Sequence, residues 1–196
     1  MNVAELRKFS LKLANSFSAD GVELPASDIS DFKLAFLDFL NTAQEKFAEK
    51  DKIEDSTTIV QAPLDVGVDP SLVLNPLPDD FVEMNKVVFL DSYGNRGLFN
   101  DYSIEMENIV ISSDYEGTFT IYYFKRPVDL VLDTDVPQIR PQHHRKLAYY
   151  CAGEWLFSTG TQNAGLVYLN RFDSFLTEMK PSVQDCGSGI SNETGW

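Results

Sequence analysis

Hydrophobic positions along the chain change period twice. Leu6, Phe9, Leu13 and Phe17 recur at helical spacing, and the run stops where Gly21 and Pro25 interrupt it. Ser27 or Asp28 then offers a cap for a longer helix. Along it Phe32, Phe36, Phe39, Leu40, Ala43 and Phe47 form one stripe, spaced three and four apart over four turns. From about residue 57 the period falls to two. TTIVQAPL, VVFLD, YSIEM, NIVIS and TFTIYYF read as strands, with PLDVGVDPSLVLNPLPDD as a loop after the first. The separators SYGNRG, EN and SDYEG supply Gly, Asn and Asp where a turn needs positive φ. They are too short for crossover helices, so the strands are expected to be antiparallel, as a meander.

Helical spacing returns in the last third. Pro141 suits the first turn of a helix, where its missing N–H is not needed. KLAYYCAGEWLF is apolar nearly all round, the mark of a central helix. STGTQNAG breaks or bends it, and Val167, Tyr168, Phe172, Phe175, Leu176 and Met179 give a further stripe up to Pro181. The remainder is rich in Gly and Ser with isolated Val183, Ile190 and Trp196. The class expected is α+β: about four helices in a bundle, with an antiparallel β-meander inserted between helices two and three and a flexible C-terminal tail. By residue, 1–50 and 136–181 make the bundle, 51–135 the β-insertion and 182–196 the tail.

Charge sharpens that division. The 196 residues carry 30 acidic against 16 basic side chains, a formal −14. Residues 51–135 hold 17 acids and 5 bases, or −12 of that total. Such a balance argues against a protein that wraps nucleic acid, which needs clustered Lys and Arg, and against a polybasic membrane anchor. No apolar run reaches the roughly 18–20 residues of a membrane span. The N-terminal pattern is that of an amphipathic helix instead of a secretory leader, so an intracellular protein is expected. Two cysteines, Cys151 and Cys186, make neither a disulfide framework nor a four-cysteine zinc site, and Cys151 sits in an apolar run as a small core residue.

Candidate chemistry is sparse. Asp133 and Asp135 resemble a cation-holding pair, but no third ligand stands at suitable spacing, and loop capping is the simpler use. His143 and His144 point about a hundred degrees apart on a helix, cannot chelate one ion, and are expected at a surface or interface. Glu154, inside an apolar helix, is a candidate general acid; its plainer role is to pair with Arg145, Arg171 or a partner chain. The sequence carries no phosphate-binding, dinucleotide-binding, nucleophile-elbow or zinc-protease motif. No enzyme activity and no cofactor are expected. A small ligand-binding module or enzyme using Glu154 or Asp133 and Asp135 is the alternative from another class.

Three blocks carry a resemblance. FLDFLNTAQEKFAEK, through Leu40, Asn41, Ala43, Gln44, Phe47 and Ala48, resembles the opening helix of head-to-tail connector (adaptor) proteins of tailed bacteriophages. PLPDDFVEMNKVVF is similar, at Leu77, Pro78, Asp80 and Phe81, to the segment leading into that family's first strand. The third block resembles the family's exit from its sheet into a long apolar helix. It matches at Tyr122, Tyr123, Pro127, Asp133, Pro137, Pro141, His144, Leu147 and Ala152. The blocks stand in family order over about residues 29–178.

The resemblance implies a structural virion protein, made in the host cytoplasm. It implies a ring, a dodecamer, docked under the portal protein, extending the DNA channel and giving the next tail or neck protein its platform. A tail-completion or neck protein one layer below is the alternative within that class. A tail with spaced Val183, Ile190 and Trp196 suits a portal-docking arm that folds on binding. DNA would pass without specific binding, and acidic loops facing the channel would keep its phosphates off the wall.

Overall fold

The computed structural model describes residues 1–15, 26–61 and 73–179. They form four α-helices and seven strands, an α+β chain dividing into two compact units, one of residues 1–52 with 128–196 and one of Ile53–Pro127. Val183, Ile190 and Trp196 lie outside the described residues, as does Phe17.

The helical unit is built on α3 (His144–Ser158), against which α1 (Val3–Asn15), α2 (Ala26–Lys50) and α4 (Gln162–Glu178) all pack. Its all-round apolar composition puts Leu147, Ala148, Tyr150, Cys151, Ala152, Gly153, Trp155 and Leu156 in the interior. The stripe on α2 is buried at Phe32, Phe36, Leu40, Ala43 and Phe47 and half-buried at Phe39. Phe32 meets Trp155 edge-on at 5.4 Å, and Phe47 meets Phe172 of α4 at 5.3 Å. On α1 the buried line is Val3, Leu6, Ser10 and Ala14, with Phe9 and Leu13 half-buried beside it. Ser10 is accommodated because its hydroxyl donates to the Leu6 carbonyl. Ser27 and Asp28 fall inside the first turn of α2.

At the turn between α3 and α4 only Gly160 takes positive φ, and α4 starts at Gln162. The segment therefore ends one helix and begins the next, with Gly165 already helical. Gly153 and Gly165 bring α3 and α4 into close approach: a Cβ on Gly165 would lie 2.8 Å from the Gly153 carbonyl oxygen and from the Phe157 nitrogen. Val167, which the α4 stripe included, is exposed; Tyr168 and Phe172 are the buried pair.

The β unit is antiparallel throughout but is no meander. Strands β1 (Ile53–Gln61), β7 (Gly117–Lys125), β3 (Phe81–Asp91) and β4 (Arg96–Phe99) form one sheet in the order β1-β7-β3-β4. Strands β2 (Val73–Pro76), β6 (Asn108–Ile111) and β5 (Tyr102–Glu105) form a second, in the order β2-β6-β5. The last strand, β7, sits between β1 and β3, and its alternating Phe119, Ile121 and Tyr123 are buried with neighbours on both sides. These side chains, with Val87 and Phe99, share a core with Ile109 and Ile111 of the second sheet.

Two strands lie where loops were expected. β2 falls in the Pro-rich segment, and β4 follows the Gly94 turn directly. Between β5 and β6 the left-handed residue is Met106, fully exposed at φ 56°, and not the Asn of the EN separator. Residues 128–135, grouped by charge with the β-rich segment, belong to the helical unit.

Candidate functional site

The segment between β7 and α3 is a loop in which aliphatic residues alternate between anchor and display. Leu130, Pro137 and Ile139 are buried. Val128, Val131, Leu132 and Val136 are 58, 67, 62 and 53% exposed. An irregular loop with so much apolar exposure is normally mobile, since nothing offsets the entropy of ordering it. Here much of the backbone is held by side chains of α2 and by Asp135.

The amide of Asn41 brackets Leu130, accepting from its N–H at 2.8 Å and donating to its carbonyl at 3.2 Å. Gln44, buried on the next turn of α2, donates to the Val128 carbonyl at 3.1 Å and accepts from the Gln138 N–H at 2.8 Å. Gln138 in turn accepts from the Val128 N–H. Side-chain amides do this well because each carries a donor and an acceptor with the spacing of a backbone ladder. Asn41 and Gln44 stand three apart, so one face of α2 presents both. These are the polar residues of the Leu-Asn-x-Ala-Gln block.

Asp133 and Asp135 complete the anchoring. The Asp135 carboxylate accepts from the backbone N–H groups of Val131 and Leu132 at 2.9 and 2.8 Å, which holds its pKa below the usual carboxylate value, Leu132 contributing most. Asp133 pairs with Arg7. Their carbonyls accept from Ala4 and Val3, satisfying two donors that the first turn of α1 leaves open. Both acids are thus turn and helix-end chemistry. Among the described residues no group of three or more His, Cys, Asp or Glu is placed to hold a metal ion.

The other candidates lie apart from this loop's display face. Glu154 accepts a hydrogen bond from the Tyr150 hydroxyl one turn earlier, while Arg145 lies over Phe9 and Arg171 over Phe175. Burial and that carboxylate both push the Tyr150 pKa up. The Cys151 thiol is fully buried and pushed up likewise. His143 and His144, expected at a surface or interface, are buried within the chain. The reason is local: a 3₁₀ turn over Pro141–His143 folds the chain back, so the first turn of α3 enters the core. His144 Nε2 lies 2.9 Å from the Ile139 carbonyl and Nδ1 lies 3.0 Å from the Met1 nitrogen. His143 stacks on Phe47 at 5.6 Å and stands 4.0 Å from buried Asp51, which Arg140 grips through two nitrogens. Burial holds the His143 pKa below 6.5.

In the β unit the second and third resemblance blocks meet. The Tyr123 hydroxyl donates to Asp80 at 3.1 Å, Phe81 lies against the Tyr123 ring at 5.7 Å, and the Asp80 carbonyl accepts from Arg126. Burial first, and Asp80 second, push the Tyr123 pKa up to about 12.

A loop held in place while it offers apolar side chains to solvent is suited to contact with other proteins. The chain belongs to the SU10 adaptor protein family, which it matches over residues 1–190; this is a family of phage head-tail adaptors, structural components of the virion that contact other virion proteins. A search of the curated proteins gave no match. No helix among the described residues is long and apolar enough to cross a membrane. Sequence reasoning missed the display role of Val128, Val131, Leu132 and Val136. The signal was present as aliphatic residues without period, set among Asp and Pro in VDLVLDTDVP.

Proposed function

We propose that this protein is a head-to-tail connector that forms a ring between the portal and the tail or neck, lengthens the DNA conduit and gives the next protein its platform. The observation that carries this is the pinned loop: four exposed aliphatic side chains stand on a backbone already held in place, which lowers the ordering cost of contact. Family membership supplies the setting.

In this reading residues 182–196 act as an arm that docks on the portal through Val183, Ile190 and Trp196. The −12 carried by residues 51–135 faces, in part, the channel. Like-charge repulsion over roughly 8 Å at physiological salt would then keep DNA moving freely. No catalysis and no cofactor are involved. Asp133 and Asp135, the candidate acids, are engaged in the loop's own turn and at the start of α1.

Cryo-EM and analytical ultracentrifugation of the purified protein with its portal test the proposal. A ring on the portal is expected, and free monomer in both measurements would refute it. Removal of residues 182–196 should abolish docking and leave the circular dichroism spectrum unchanged; undiminished docking would dismiss the arm.

A further inference from the structure

We infer that the pinned loop of one copy seats on the outward face of the four-stranded sheet of a second copy; this rests on the ring proposed above and names the surfaces that would build it. The register of the sheet defines the receiving face. One row across four strands is Val60, Thr118, Leu90 and Arg96, and the next is Thr58, Thr120, Val88 and Leu98. Val60 is 74% and Leu98 70% exposed, with Leu90 also exposed. The opposite face of the same strands is the core of the β unit, so these rows point away from it. No carboxylate stands in either row. The first acids on this face, Glu54 and Glu83, come at its far end, beside Phe124.

Charge selects the occupant. The cations at this face are Arg96 and Lys86, both gathered around Tyr122: Arg96 donates to its hydroxyl at 3.3 Å and Lys86 lies 5.0 Å over its ring. The loop carries the opposite sign beside its aliphatic tip at exposed Asp129, whereas Asp133 is already paired with Arg7. For a chain of −14, two copies repel over most of their surfaces. An aliphatic loop with exposed Asp129 beside it, against an aliphatic and threonine face with Arg96 and Lys86 at its side, is a pairing in which a second copy is attracted. Loop and sheet face are different surfaces, so each copy has one of each to offer. Such a heterologous contact leaves a free surface at either end and propagates until the assembly closes.

Leu132→Asp and Leu98→Asp test this, because each places a carboxylate at the centre of one surface on a side chain that is already exposed. Circular dichroism melts serve as the folding control. By sedimentation velocity and light scattering, the wild-type chain should form species larger than a dimer, and each variant alone should need a more than about tenfold higher concentration to do so. A mixture of the two variants should stop at a heterodimer, since one intact loop and one intact face remain to make a single joint. Arg96→Glu should also weaken assembly, and adding Asp129→Arg in the same chain should restore it.

Variants that assemble like the wild type, or a mixture that stays monomeric, overturn the inference. So do variants that keep their rings but lose portal binding, which would give the loop to another protein. A wild-type chain that remains monomeric up to its solubility limit overturns self-docking, while the portal-dependent ring keeps its separate test.

Discussion

Replacing Gln44 with Ala removes a side chain that holds the displayed loop from two directions. The Val128 carbonyl loses its donor and the Gln138 N–H loses its acceptor. Each bond is worth about 0.5–1.5 kcal/mol net, and a group left dry costs more. Val128 and Gln138 are exposed residues, so water reaches both ends in part, while the site Gln44 leaves is itself buried. A loss of about 2 kcal/mol follows, or roughly 4–8 °C in melting temperature for a chain of this size. Urea unfolding followed by Trp155 fluorescence reads the helical unit directly. Hydrogen exchange adds position: the Gln138 amide should lose protection, whereas Leu130, held by Asn41, should keep most of its own, and Ile121 in the β unit should not change. Gln44→Glu keeps an acceptor for Gln138 but faces the Val128 carbonyl with an oxygen, so it should be at least as destabilising despite its matching shape. A stability change below about 0.5 kcal/mol together with an unaltered Gln138 amide would refute the view that α2 holds the loop in place.

Three further expectations follow from other parts of the fold. Gly165→Ala should destabilise by about 1–3 kcal/mol in thermal melts, because the added methyl meets backbone atoms of α3 at 2.8 Å; a neutral result would mean the two helices separate freely. Arg140→Gln should cost about 1–3 kcal/mol, discounted for its half-exposed side chain, since Asp51 stays buried without its cation; Asp51→Asn should be milder, and chemical denaturation of the pair checks the order. His143 sets an acid limb. Its folded pKa lies below 6.5, so the unfolded chain binds more protons as pH falls through 6.5, and stability should decline from there down to the folded pKa. Asp51, Arg140, Lys146 and His144 all act on that imidazole, burial being the largest influence. His143→Gln should flatten the curve in that window, and an unchanged slope in pH-dependent unfolding would contradict the assignment.

Periodicity and composition alone determined the helices, the antiparallel strands and the α+β class, because the stripe on α2, the all-round apolar α3 and the alternation in β7 are local properties of consecutive residues. The acid excess and its confinement to residues 51–135 were also legible, as was the family resemblance through Asn41, Gln44, Asp80 and Tyr123. Strand order was not. Turn residues say where strands end, but which strand lies centrally depends on pairing between segments far apart in sequence, and β7 pairs with both β1 and β3 instead of closing a meander. β2 and β4 were hidden because each is four residues long and depends on pairing with another strand, β6 for β2 and β3 for β4. The histidines were misjudged because exposure at a helix start depends on how the preceding 3₁₀ turn aims the chain. Most of all, an Asn and a Gln on one face of α2 look like ordinary polar positions until the fold brings residues 128–138 within hydrogen-bond reach. That contact joins positions 84 to 94 apart in sequence and turns an irregular aliphatic loop into a fixed surface.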